Sequence, residues 1–104
     1  MLVYTVVAEL PSAQVAREFL DWLADDHLRE VVDAGALEGE AVLLERDGED
    51  APHVVECRYR FADRAAFDAY EAGPAEALRA DGRARFADRV RFRRTIGEQR
   101  IRRP

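Results

Sequence analysis

With 104 residues, 48% of them hydrophobic, the chain is long enough for one domain with its own core. The longest uncharged apolar run, Leu2 to Ala8, is far too short to cross a bilayer, and the first residues lack the basic segment and cleavage site of a signal peptide. A cytoplasmic protein without a membrane span is therefore predicted, which agrees with a single Cys57 that has no internal disulfide partner.

The net charge of −5 is distributed unevenly along the chain. Residues 1–78 contain six arginines and eighteen acidic residues, whereas residues 79–104 contain ten arginines and three acidic residues. A basic C-terminal quarter favours either an anionic partner or the chain's own acidic part. The acidic total argues against non-specific binding to nucleic acid or to anionic membranes.

The first half of the chain predicts a strand, a helix and a second strand. Residues 2–9 alternate between two largely apolar faces, which is typical of a central strand. Ser12 is predicted to cap a helix whose apolar residues recur at helical spacing, and Gly35 is predicted to end a shorter helical piece after it. Residues 37–45 alternate as the second strand. The apolar stripe of the first helix consists of Val15, Phe19, Trp22 and Leu23.

The second half repeats this order after an Asp47-Gly48 turn. Residues 53–61 alternate as the third strand, and Asp63 is predicted to cap the second long helix. Gly73-Pro74 breaks that helix, and the turn or two after it is predicted to end at Asp81-Gly82.

The fourth strand is predicted over residues 89–96. Its inward positions are Val90, Phe92 and Ile96, and Arg94 interrupts this apolar pattern. Phe86, in the connection before the strand, is predicted to fill the core.

The order β-α-β-β-α-β predicts one ferredoxin-like α+β domain over residues 1–97, followed by a basic tail over residues 98–104. Two interleaved right-handed β-α-β units give a four-stranded antiparallel sheet with both helices on one face. The opposite face of the sheet, here called the open face, then has no cover of its own.

The open face is predicted to mix aliphatic side chains with charged ones. An antiparallel sheet can expose one face to water, but packing the open faces of two subunits together would hide the aliphatic groups, so a homodimer is predicted. An unpaired buried charge costs on the order of several kcal/mol, so these charges must pair with one another, lie at a rim or hold water or an anion. The residues predicted to bind a ligand on this face are Glu56, Arg58, Arg60, Arg91 and Arg93.

Two stretches of the chain resemble an uncharacterised family of small bacterial proteins with the dimeric α/β-barrel fold. They are Phe19-Leu-Asp-Trp-Leu with His27, Val31-Val32, Gly35 and Leu37, and Tyr59-Arg60-Phe61 with Ala66-Phe67-Asp68-Ala69-Tyr70, Leu78-Arg79-Ala80-Asp81-Gly82, Phe86 and Arg93-Arg94. The resemblance extends to about Ile96 and implies the ferredoxin-like fold and a homodimer, with no assigned activity. Wider relatives of that family include cofactor-independent antibiotic-biosynthesis monooxygenases, lactone isomerases and haem-handling barrels. Members often carry His before Pro where this chain has Gly73-Pro74.

Trp22 and His27 are the predicted catalytic residues, because barrel relatives place a pocket between helix and sheet at this point. An imidazole beside an indole could hold and deprotonate an aromatic substrate. The alternative is that Trp22 belongs to the core and that His27 contacts the last carbonyls of the helix. Asp25 and Asp26 point apart on a helix, so no metal site is predicted, and the chain has no phosphate-binding loop that would predict a cofactor.

Three functions remain open at this point. The first is a homodimeric barrel that binds a small anionic or aromatic molecule. The second is a cofactor-independent enzyme of the monooxygenase or isomerase type. The third, a nucleic-acid binder, is disfavoured because the predicted open face offers no aromatic side chain for stacking.

Overall fold

A computed structural model describes all 104 residues and contains four strands and four α-helices. The strands are β1 (Leu2–Leu10), β2 (Glu38–Leu43), β3 (His53–Phe61) and β4 (Arg91–Glu98). The helices are α1 (Ala13–Trp22), α2 (Leu28–Asp33), α3 (Arg64–Ala72) and α4 (Ala75–Phe86), with a π-helical turn at Leu23–His27 and a 3₁₀ turn at Ala87–Arg89. The strands form one antiparallel sheet in the order β2-β3-β1-β4, which confirms the predicted ferredoxin-like fold. None of the helices has the length and hydropathy that crossing a bilayer requires.

The predicted helix caps are present. The Ser12 hydroxyl accepts a hydrogen bond from the Val15 N–H at 3.1 Å, and the Asp63 carboxylate accepts one from the Ala66 N–H at 2.8 Å. Each bond satisfies a backbone donor that the first turn of a helix leaves without a partner. Gly35 follows α2 with a φ of 137°, a conformation that side chains with a Cβ rarely adopt.

Helix α4 and strand β4 differ from the sequence-based prediction in their bounds. Helix α4 continues through Asp81-Gly82 to Phe86, because burying Phe86 and Ala75 outweighs the cost of about 1 kcal/mol for a glycine inside a helix. Gly82 itself is buried, and a Cβ there would lie 3.2 Å from the indole of Trp22. The 3₁₀ turn occupies the next residues, so β4 begins two residues later than predicted.

Residues paired across the four strands form rows that face alternately toward the helices and toward the open face. One row faces the helices and contains Ala41, Cys57, Val6 and Arg94. The neighbouring row, on the open face, contains Val42, Glu56, Val7 and Arg93. Val7 is only 8% exposed although it lies outside the main core cluster, because it sits between Glu56 and Arg93 in this row.

Candidate functional site

The π-helical turn brings Trp22 and His27 together. In an α-helix, residues five apart point about 140° away from each other, since each residue turns the chain by about 100°. Here the N–H of Leu28 donates to the carbonyl of Leu23, five residues back, and this wider turn places residues five apart above one another. The two rings are stacked, with centroids 4.2 Å apart and an angle of 18° between their planes. The two predicted catalytic residues are therefore in contact.

This ring pair forms one wall of a pocket between the helices and the sheet. The pocket has a volume of about 160 Å³ and opens to solvent. Most of its lining is apolar or aromatic and comes from α1, α4 and the helix-facing side of the sheet. Phe19, Leu23, Cys57, Tyr59, Leu78 and Phe92 supply much of that surface. Such a concave, largely apolar pocket with a few polar groups is typical of a small-molecule site.

The polar end of the pocket is built around the Tyr4 hydroxyl. Arg79 of α4 donates to this oxygen at 3.2 Å, and the Nε of Arg94 of β4 donates to it at 3.0 Å. Arg79 also forms an ion pair with Glu71 of α3, whereas Arg94 has no carboxylate partner. Burial opposes the charge of Arg79, but its hydrogen bonds to Tyr4 and Glu71 outweigh that effect and raise the pKa of its guanidinium. Two fixed cations therefore meet at one edge of an otherwise apolar pocket.

His27 is neutral at physiological pH. Burial lowers the pKa of its imidazole from 6.5 to about 4, against the opposing effect of Asp81. Its Nδ1 is buried without a hydrogen-bond partner, and so is the indole Nε1 of Trp22. A neutral imidazole in this position can accept or donate one hydrogen bond, but adds no charge to the pocket.

Three other titratable groups in the pocket, Cys57, Tyr59 and Tyr70, keep their protons. Burial raises the pKa of the Cys57 thiol to about 12 and that of the Tyr70 hydroxyl to about 12, and it also raises the pKa of Tyr59. Cys57 is only 2% exposed, so its thiol is buried and inert.

The arginines predicted to bind a ligand lie on the open face in two separate groups. Arg58 pairs with Glu56 at 2.6 Å and with Glu40 at 3.6 Å, and Arg60 pairs with Glu38 at 2.9 Å. Two further arginines, Arg91 and Arg93 of β4, form no ion pair within one chain and flank a shallow depression beside Val7 and Glu9. The ion pairs of Arg58 and Arg60 correspond to the alternative in which the charges of the open face pair with one another. Anion binding by the predicted set of open-face residues stays a prediction.

Sequence reasoning missed Arg79 and Arg94 as pocket residues. Arg94 carried a signal, because it interrupts an inward apolar pattern on β4 and such an interruption requires a polar partner within reach. The sequence contains no signal that would identify Arg79 as a pocket residue, since arginines are common on the exposed faces of helices. The π-helical turn also had a weak signal in the spacing of five between Leu23 and Leu28, where an α-helix would give three or four.

The fold and pocket together define a class: a small ferredoxin-like α+β protein with a candidate ligand site between its helices and its sheet. The chain belongs to a family described as a domain of unknown function, DUF4286, whose profile matches residues 1–99. The predicted resemblance to an uncharacterised family is thus confirmed. No curated protein sequence matches the chain.

Several solved structures share the fold. A dimeric ferredoxin-like protein from an uncultured marine organism has a TM-score of 0.73 at 16% identity, over 92% of each chain. HapK from Hahella chejuensis has a TM-score of 0.69 at 21% identity, over 95% of this chain and 92% of its own. An ethyl tert-butyl ether d (ethd) family protein from Bacillus halodurans has a TM-score of 0.65 at 17% identity, over 96% and 100%. At these identities the likeness shows the fold alone.

Proposed function

We propose that this protein is a homodimeric α/β barrel that binds a small anionic or aromatic molecule in the pocket between its helices and its sheet. The observation that carries this proposal is that a stacked Trp22–His27 pair and two arginines joined to the Tyr4 hydroxyl line one open pocket. Flat apolar surface gives affinity for a ring, and a few placed polar groups orient the ligand.

The open face supports the homodimer. Val3, Val42 and Val54 lie half-buried among charged residues on this face. A second copy packed on the face would cover these side chains and offer carboxylates to the unpaired Arg91 and Arg93. The similar structure from the uncultured marine organism is itself described as dimeric.

Ligand binding is testable through Trp22, the single tryptophan of the chain. A set of small molecules (indole, phenol, benzoate, benzamide and succinate) is titrated while Trp22 emission is recorded. At least one of them is expected to change the emission in a saturable way. Leu78→Phe narrows the pocket and should abolish this change, whereas Leu20→Phe, a partly buried residue outside the pocket lining, should retain it. A set without any saturable response in the wild type contradicts the proposal.

The homodimer is testable by light scattering during gel filtration. The wild type is expected to have twice the mass of one chain at micromolar concentration. Thr5→Arg adds a second cation directly opposite Arg58 in the middle of the open face and should raise the dimer dissociation constant by about tenfold or more. Ala72→Arg, on the exposed end of α3, is the control with the same charge change. A wild-type protein of monomeric mass would exclude the dimer.

A cofactor-independent enzyme is the second candidate, and the neutral His27 in the same pocket favours it. A buried imidazole with an unpartnered nitrogen can hydrogen-bond to the hydroxyl of a bound phenol or enol and so orient it. This function requires that a molecule found by the Trp22 titration is consumed on incubation in air or is isomerised. His27→Gln should then abolish turnover while binding persists. If the ligand binds and is not converted, the enzyme candidate is excluded and ligand binding is the function that remains.

A further inference from the structure

Starting from the pocket of the proposed function, we infer that its ligand is a monocyclic aromatic carboxylate, held with its ring against the Trp22–His27 pair and its carboxylate at Arg94. The inference rests on that proposed function and adds the charge, the size and the orientation of the ligand. Three independent features of the pocket support it.

The first feature is the charge balance at the polar end. Arg79 is neutralised by Glu71, and Arg83 at the rim is paired with Glu76 at 2.8 Å. Arg94 has no carboxylate partner, so one positive charge remains next to the pocket. One uncompensated cation matches a monoanion, whereas a phosphate monoester would bring a second negative charge without a partner.

The second feature is the availability of the Arg94 guanidinium. Its Nε donates to Tyr4, and its central carbon lies 5.8 Å from the centre of the Phe92 ring. These contacts hold the group in place but use only one of its five N–H donors. The donors on its two terminal nitrogens remain for the two oxygens of a carboxylate, the geometry that arginine recognises best.

The third feature is the size and polarity of the remaining space. A volume of about 160 Å³ is close to that of a cavity which accepts one benzene molecule, so a single ring fills it and a second fused ring would extend into solvent. The lining includes the stacked indole of Trp22 and neutral imidazole of His27, which favours contact with an aromatic ring over a second charged group.

Benzoate, its neutral isostere benzamide and the two-ring 2-naphthoate test these features by calorimetry and Trp22 fluorescence. Benzoate is expected to bind the wild type at least about tenfold more tightly than benzamide, since an ion pair with Arg94 is replaced by a hydrogen bond from Arg94 to a neutral carbonyl oxygen. It should also bind more tightly than 2-naphthoate. Arg94→Gln should abolish the preference for benzoate and lower the affinity for benzamide much less. Arg94 is exposed, so the variant should retain the thermal transition of the wild type.

Two further variants make the result decisive. Arg100→Gln removes the same charge from the C-terminal segment and should keep the preference for benzoate. Arg93→Gln removes the neighbouring arginine on the open face, and loss of the preference there instead of in Arg94→Gln would overturn the inference. Equal binding of benzoate and benzamide, tighter binding of 2-naphthoate, or no binding of benzoate would overturn it as well. The ligand-binding part of the proposed function survives each of these results if any member of the wider set binds in the pocket, and fails if none does.

Discussion

The imidazole of His27 lies parallel to the indole of Trp22, five residues earlier, with 4.2 Å between the ring centres. The contact buries the imidazole without giving its Nδ1 a hydrogen-bond partner. A buried imidazole without a partner resists protonation, because the charged form loses its hydration and gains nothing in return. The pKa of His27 therefore reports whether the pocket is folded, and its effect on stability can be measured.

Lowering the pH should therefore destabilise the protein through His27. The pKa of its imidazole is about 4 in the folded state and about 6.5 when unfolded, so the unfolded chain binds the proton first as the pH falls below 6.5. Between pH 7.5 and pH 5, this difference should lower the free energy of unfolding by about 2 kcal/mol. Urea unfolding at both pH values gives the measurement. His27→Gln should lose this part of the pH dependence and His53→Gln should keep it; an unchanged dependence in His27→Gln would contradict the burial of the imidazole.

Replacing Arg79 should destabilise the fold more than replacing Arg83 on the same helix. Arg79→Ala removes hydrogen bonds to Tyr4 and Glu71 at a partly buried position and should cost about 2 kcal/mol. Arg83→Ala removes an exposed ion pair with Glu76 and should cost less than about 0.5 kcal/mol. Denaturant unfolding of the two variants checks the difference, and equal costs would mean that Arg79 does not link α4 to the sheet.

Glycine is required in β2 and dispensable in β4. A Cβ at Gly39 would lie 2.9 Å from the ring of Tyr59, which is only 1% exposed and cannot move aside freely. Gly39→Ala should therefore cost about 1–3 kcal/mol. A Cβ at Gly97 meets nothing within 4 Å, so Gly97→Ala should change stability by no more than about 0.5 kcal/mol. The difference in thermal midpoint between the two variants provides the test, and a stable Gly39→Ala protein would show that the Tyr59 ring is not fixed.

Cys57 should react with thiol reagents only when the protein unfolds. Burial raises its pKa to about 12, so almost no thiolate is present at neutral pH, and the reagent cannot reach the sulfur. Labelling by a chromogenic disulfide should be slow in buffer and become complete in denaturing urea. Rapid labelling of the native protein would show that the pocket opens as far as the sheet.

The strands and helix caps could be predicted from the sequence because their causes are local. Alternation over residues 53–61 specifies a strand with one apolar face, and Ser12 and Asp63 cap helices through atoms only three residues away. The bounds of α4 could not be predicted in the same way. Gly82 breaks a helix by its own preference, but burial of Ala75 and Phe86 outweighs that preference. A Cβ at Gly82 would lie 3.2 Å from the indole of Trp22, sixty positions earlier, and the sequence does not show this close approach.

The candidate site was half predictable. Trp22 and His27 were identified by residue type and by their place at the end of a helix, whereas the partnership with Arg79 and Arg94 was not. The hydrogen bonds that join these arginines to Tyr4 span 75 and 90 residues of sequence. No periodicity relates positions so far apart.

The sequence by itself determined the order of elements, the apolar face of each strand and the fold, because these follow from repeats of about two and about 3.6 residues. Only the tertiary structure decided which charged groups meet. Strand order brings β4 beside β1, and α4 packs over them, so that two arginines converge on one tyrosine hydroxyl. The physical reason is that side-chain pairing depends on distances in space, and those exist only after the sheet has brought distant parts of the chain together.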